Sequence, residues 1–110
     1  MQLLASGVIA GPEAHGSVSI TVDQDGRRVV KLTDLWVAPG APDVRLLVSA
    51  DPMGATTGDA VDVGPLPYGR SEHILELPSD LPLSRVRSVV IYCSVYSVYF
   101  GHAELRLADQ

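Results

Sequence analysis

The chain carries one cysteine, Cys93, and three histidines, His15, His73 and His102. Three of its four tyrosines, Tyr92, Tyr96 and Tyr99, stand close to Cys93 in sequence. A single cysteine forms no internal disulfide and no Cys-x-x-Cys pair. Its thiolate can still pair with another molecule, or ligate a metal or haem iron. A reactive Cys93 needs partial exposure and a nearby cation or imidazole. The side chains that could supply one are His15, His73, His102 and Arg87. The competing expectation is a small core hydrophobe, because free cysteine is among the most buried residue types.

Other chemistry finds less support. A metal site built from His15, His73 and His102 would have to draw on three distant segments, and no ligand spacing suggests it. Cys-x-x-Cys-His, the attachment motif for c-type haem, is absent. Tyr92, Tyr96 and Tyr99 suit electron hopping around Cys93, but a strand, where tyrosine is favoured, accounts for them more simply. Asp23-x-Asp25-Gly26 resembles part of a calcium loop. The pattern fails at its ends, with Thr21 at the first ligand position and Leu32 where a bidentate Glu is needed, so it reads as a hairpin turn. Asp51, Asp59 and Asp62 border a soft loop and suit ordinary solvation or weak cation contact. Hydrolase-elbow, P-loop and dinucleotide-binding motifs are missing, so an autonomous enzyme is not expected.

The elements that must position these residues are strands. Val18, Ile20 and Val22 alternate with Ser17, Ser19 and Thr21, Asp25-Gly26 supplies a turn, and Val29-Val30-Lys31-Leu32 runs back. This predicts a hairpin over about Ser17 to Leu35. Further strands are expected at Val44–Val48, Ala60–Val63 and His73–Leu77. A mobile surface loop is expected over Asp51–Gly58, and a turn or single helical turn around Pro78–Pro82. Val86 to Val98 and Tyr99 to Leu107 form the most strand-prone part of the chain. Period-2 parity places Cys93 on one face with Val89 and Ile91, which favours burial. The opposite parity, Val90 and Tyr92, is also apolar, so this strand is expected to be covered on both sides. In the last strand, parity puts Gly101, Ala103, Leu105 and Leu107 on one face. It leaves His102 with Phe100, Glu104 and Arg106 on a solvated one. Trp36 reads as a core anchor or an edge-of-core cover. The expected fold is all-β with little helix, an antiparallel β-sandwich or closed barrel of about eight short strands. It occupies residues 1–110 as a single domain.

Composition agrees with a folded domain and narrows the partners. At 110 residues, with 46% hydrophobic and 19% charged residues, the chain can bury a core and is not expected to be disordered. The net charge of −5 argues against nucleic acid and against anionic lipid surfaces. Only Arg27, Arg28 and Lys31 cluster, and they read as the rim of the hairpin. No apolar run approaches the roughly 20 residues that span a bilayer. The opening Met1–Gly7 lacks a basic n-region, so no signal peptide is expected there.

The segment Ser88-Val89-Val90-Ile91-Tyr92-Cys93-Ser94-Val95-Tyr96-Ser97-Val98-Tyr99-Phe100-Gly101-His102-Ala103-Glu104-Leu105 resembles the C-terminal part of DM13 domains. In that family a strand ending in an aromatic residue and Cys leads through a short turn to a Phe-Gly-x-Ala-x-Leu strand. Ser6-Gly7 with His15–Ile20, Leu32-Thr33-Asp34-Leu35-Trp36, Ala41–Leu46, Val63–Leu66 and Leu77-Pro78 are similar to earlier landmarks in the same order. Leu35-Trp36 departs from the usual Phe. The resemblance implies a β-sandwich-like fold and an electron-transfer role centred on the shared cysteine, here Cys93. It further implies a cytochrome or other redox protein as partner, any haem or transition metal being supplied through that partner, and an extracytoplasmic setting. His102, Tyr92, Tyr96 and Tyr99 are then the candidate neighbours of the redox residue. The alternative, from the residues themselves, is a non-catalytic binding or adhesion module with Cys93 as a structural core residue.

Overall fold

A computed structural model describes residues 2–58 and 60–108. Among these described residues, nine strands form two antiparallel sheets packed face to face. In chain order they are β1 (Gln2–Ile9), β2 (Ala14–Val22), β3 (Arg28–Val37), β4 (Val44–Ser49), β5 (Val61–Pro65), β6 (His73–Glu76), β7 (Ser88–Cys93), β8 (Val98–Glu104) and β9 (Arg106–Leu107). One sheet runs β6-β3-β2-β1-β9 and the other β5-β4-β7-β8. A single 3-10 turn, Leu83–Arg85, follows Pro82. The architecture is a sandwich, not a closed barrel.

The core forms where inward residues of the two sheets meet. Val18, Ile20, Val30 and Leu32 come from the first sheet, and Leu46, Val48, Val89 and Ile91 from the second. In register, Val44, Leu46 and Val48 lie opposite Cys93, Ile91 and Val89. The β2–β3 hairpin turns as expected. Asp23 accepts backbone N–H groups of Asp25 and Arg27 at 2.9 Å each, and Gly26 takes φ 83°. Such a left-handed position suits glycine.

Two irregularities reverse side-chain parity and overturn two expectations. In β3, Asp34 has φ 52°, opposite a register shift between His15 and Ser17. A left-handed residue of this kind adds one position to its strand, as in a β-bulge. Beyond it Leu35 turns inward and Trp36 outward, 44% exposed. Trp36 is therefore not a core anchor; it stacks on His15 with ring centroids 5.1 Å apart. In β8, Tyr99 pairs with Tyr92 while Gly101 pairs with Ile91, so Phe100 is the extra residue. Phe100 is buried in the core with Ala103 and Leu105 instead of sharing the solvated face of His102. Leu107, in β9, is exposed and not part of that inner row.

The N-terminal segment forms β1, which sequence alternation did not indicate. Its end crosses to the other sheet: Ala10 and His102 exchange both backbone hydrogen bonds at 3.0 Å. The approach is close, since a Cβ on Gly11 would stand 2.4 Å from the Cα of Gly101. Glycine at both positions admits it.

Candidate functional site

Cys93 ends β7, pairing with Val44 on one side and Val98 on the other. Its side chain points into the core with Val89 and Ile91 and is 1% exposed. Sequence parity anticipated this placement. Three of the four candidate activators, Arg87, His102 and His15, are placed away from the sulfur, and the fourth, His73, shares the end cavity lining with Val44, the cross-strand partner of Cys93. Arg87 precedes the opposite end of β7, about 20 Å away along an extended strand. His102 pairs with Val90, whose parity is outward. His15 stacks on Trp36 outside the first sheet. His73 is buried on β6 of the facing sheet, opposite Leu32.

Metal ligation at the sulfur needs further donors converging on it. Among the described residues no group of three or more His, Cys, Asp or Glu comes together to hold a metal ion. Among the described residues, Cys93 therefore belongs to no three-donor set that could hold a metal ion. Asp59, one of the three aspartates bordering the soft loop, lies outside the described residues. Asp62 is instead committed to Arg45, with Nε 2.6 Å from Oδ2, and Asp43 adds a second carboxylate at 3.5 Å. These contacts, led by the Asp62 hydrogen bond, raise the guanidinium pKa further above its ordinary value. Asp51 accepts the backbone N–H of Met53.

The outer face of the second sheet holds the aromatic residues. Tyr92 is directly opposite Tyr99 across the β7–β8 ladder. Tyr99 Oη lies 2.6 Å from His102 Nδ1, a short hydrogen bond. Burial raises the phenol pKa of Tyr99 above its ordinary value. Tyr96 sits in the turn between β7 and β8 and is exposed. Of the candidate neighbours, then, Tyr92, Tyr99 and His102 are brought together, on the side of the sheet opposite the Cys93 thiol, and Tyr96 stands off.

The Asp51–Gly58 segment does not stand away from the protein. Ser88 donates its hydroxyl to the carbonyl of Asp51 at 2.6 Å, and Ser49 accepts the N–H of Asp51 at 3.0 Å. Gly54 packs directly on His102: a Cβ there would be 2.8 Å from the imidazole Cγ. Leu47 and Val90 are buried on the outer face, so β7 is covered on both sides as its sequence suggested.

Sequence reasoning missed a cavity of about 380 Å³ at the end of the sandwich where β4 begins. Trp36, Val44, Leu66, Tyr68, Arg70 and His73 are among its lining residues. Its size falls within the range of small-molecule sites. Val44 in its wall is the cross-strand partner of Cys93. The signal in the sequence was the stiff, aromatic run Pro65-Leu66-Pro67-Tyr68-Gly69. Burial, opposed in part by the contact of His73 Nε2 with the Arg70 carbonyl at 3.3 Å, lowers the His73 pKa.

The fold is thus a small β-sandwich with a cysteine ending one core strand and a Phe-Gly-His-Ala strand beside it. The sequence matches the family described as electron transfer DM13 over residues 10–105, and the chain belongs to that family. This family assignment supports a redox-related role at the level of the whole domain. Comparison with curated proteins and with solved structures finds no match. Among the described residues, no helix is long and apolar enough to cross a membrane.

Proposed function

We propose that the chain is an electron-transfer accessory domain acting beside a haem or metal protein, such as a cytochrome, with the β7–β8 hairpin as its redox-bearing element. The observation that carries this reading is the grouping on that hairpin. Cys93 faces inward, and its neighbour Tyr92 stands outward against Tyr99, itself hydrogen-bonded to His102. Burial of the sulfur closes direct thiol–disulfide exchange, which requires access to the attacked atom. On this reading Cys93 acts by electron transfer at a distance along the hairpin, without contact between its sulfur and the partner. An extracytoplasmic setting belongs to the same proposal: a lone thiol in an oxidising compartment escapes pairing with other molecules when it is sealed in a core.

The test is stopped-flow electron exchange with a soluble c-type cytochrome, comparing the wild-type domain with Cys93→Ser. The expected result is exchange with the wild type and a several-fold slower rate in the variant. Equal rates would remove Cys93 from the pathway, and no exchange with either would remove the electron-transfer reading.

A second reading, a binding module with a structural Cys93, is favoured by the end cavity beside Val44 and by the apolar packing of the sulfur. On that reading, substitutions of Cys93 change stability alone.

A further inference from the structure

We propose that Tyr99 and His102 form a proton-coupled redox pair, in which the imidazole takes the phenolic proton as the ring gives up an electron. The inference rests on the redox reading of the domain but not on Cys93. Four observations carry it. The two heavy atoms are 2.6 Å apart, within the reach that direct proton transfer requires. The partner atom is Nδ1 of a histidine, which accepts the phenolic hydrogen when Nε2 carries the ring hydrogen. The pair is held rather than incidental: the His102 backbone is fixed by both hydrogen bonds to Ala10, and its ring lies under Gly54. Tyr99 is 37% exposed, so an electron can leave to a docked partner while its hydroxyl stays engaged.

The other tyrosines make the contrast. Tyr68 and Tyr96 are more exposed, at 59% and 68%. Among the described residues only Tyr99 hydrogen-bonds a titratable base. If the hydroxyl needed no more than solvation, exposure like that of those two would serve it. Instead, a bulge is spent on turning His102 to the same face.

The step balances within the pair and one external reactant. A high-potential, outer-sphere one-electron oxidant, a metal centre on the partner protein or an oxidised metal complex in solution, removes one electron from the phenol. The Oη–H bond breaks and the proton passes to Nδ1. Because Nε2 already carries hydrogen in the required tautomer, the products are a neutral phenoxyl radical and an imidazolium, with the oxidant reduced by one electron. Return of an electron from a reductant brings the proton back to Oη.

The test uses flash-generated tris(bipyridine)ruthenium(III) as oxidant and no protein partner, so its outcome is separate from the cytochrome experiment. Wild type, Tyr99→Phe and His102→Gln are compared by the absorption and electron paramagnetic resonance of the phenoxyl radical. Gln keeps a hydrogen-bond acceptor near the hydroxyl but cannot hold the proton. The proposal expects a fast phase with a deuterium solvent isotope effect in the wild type. That phase should be absent in Tyr99→Phe and about tenfold or more slower in His102→Gln. A fast phase that survives Tyr99→Phe, or that is unchanged in His102→Gln, overturns the pair. Nitrogen-15 NMR of the wild type needs no variant to fold. An unprotonated Nδ1 and a protonated Nε2 support the assignment, and the reverse tautomer overturns it.

Discussion

Tyr99 and His102 lie three residues apart on one strand and still face each other, with Oη 2.6 Å from Nδ1. Regular alternation would send them to opposite faces, since side chains repeat with period 2. Phe100 removes the conflict by bulging inward, so that the ladder skips from Tyr92–Tyr99 to Ile91–Gly101. The same bulge adds an aromatic side chain to the core and an imidazole to the outer face. One local deviation therefore serves both packing and the candidate redox pair.

The loop above that pair gives the first prediction. Gly54 has φ 86° and would drive a Cβ into the root of the His102 ring, whereas Gly58 has φ 69° with nothing within 4 Å of the added atom. Gly58→Ala should cost only backbone strain, about 1 kcal/mol. Gly54→Ala should cost more, about 2 to 3 kcal/mol. It should also shift the His102 ring resonances as the loop lifts. Thermal unfolding and NMR of the two variants check this; equal destabilisation with unmoved His102 resonances would show that the loop does not clamp the ring.

Much of this architecture was legible in the sequence because parity is a strong constraint wherever a strand stays regular. Val18, Ile20, Val89, Ile91 and Cys93 all point inward, as alternation requires. Alternation fails at Asp34 and Phe100, each of which inserts a residue and reverses the parity of the residues after it. A bulge depends on the partner strand's register, which one chain segment does not encode by itself. That is why Trp36, read as a core anchor or an edge-of-core cover, is not in the core but on the outside, and why Phe100 read as exposed and is buried. The strand Gln2–Ile9 was invisible for a different reason: Ala5, Ser6 and Gly7 give it little β propensity, and its pairing with β2 supplies the stability. The folding of Asp51–Gly58 onto the sheet was equally hidden, since Ser49, Ser88 and His102 hold it from three strands.

The Arg45–Asp62 pair lies on the same outer face, with Arg45 opposite Tyr92. Both side chains keep substantial contact with water, so their short hydrogen bond should contribute modestly. A double-mutant cycle of Arg45→Met and Asp62→Asn should give a coupling of about 0.5 to 1 kcal/mol. Raising the salt to molar levels should shrink it. A coupling of several kcal/mol would mean that the pair is far better shielded than its exposure indicates.

His73 should make stability depend on pH. Burial, first among the causes, lowers its folded-state pKa below the unfolded value near 6.5, with the positive charge of Arg70 acting in the same direction. Below about pH 6.5 the unfolded chain therefore binds more protons than the folded one. The contribution is fully present above that pH and is lost as pH falls toward the folded pKa. His73→Gln, neutral throughout, should lose less stability than the wild type between pH 7 and 5. Urea unfolding at several pH values measures the difference; parallel curves for the two proteins would place the pH dependence elsewhere.

Cys93 offers the last prediction, because stability and accessibility can be read from the same sulfur. At 1% exposure among Val44, Val89 and Ile91, it should react with a disulfide reagent only through opening of the fold. For a domain of ordinary stability the native rate should be at least about a thousandfold below that of the unfolded chain. Cys93→Ala leaves a small void and should cost about 1 to 2 kcal/mol. Cys93→Ser fills that void with a hydroxyl lacking an evident polar partner and should cost more, about 2 to 3 kcal/mol. The order of the two variants is the informative quantity. A hydrophobic site penalises Ser over Ala, whereas a site with a hidden polar contact to the sulfur would reverse them. Rapid native labelling together with that reversal would mean that the end cavity beside Val44 opens as far as the thiol, and would return Cys93 to ordinary thiol chemistry.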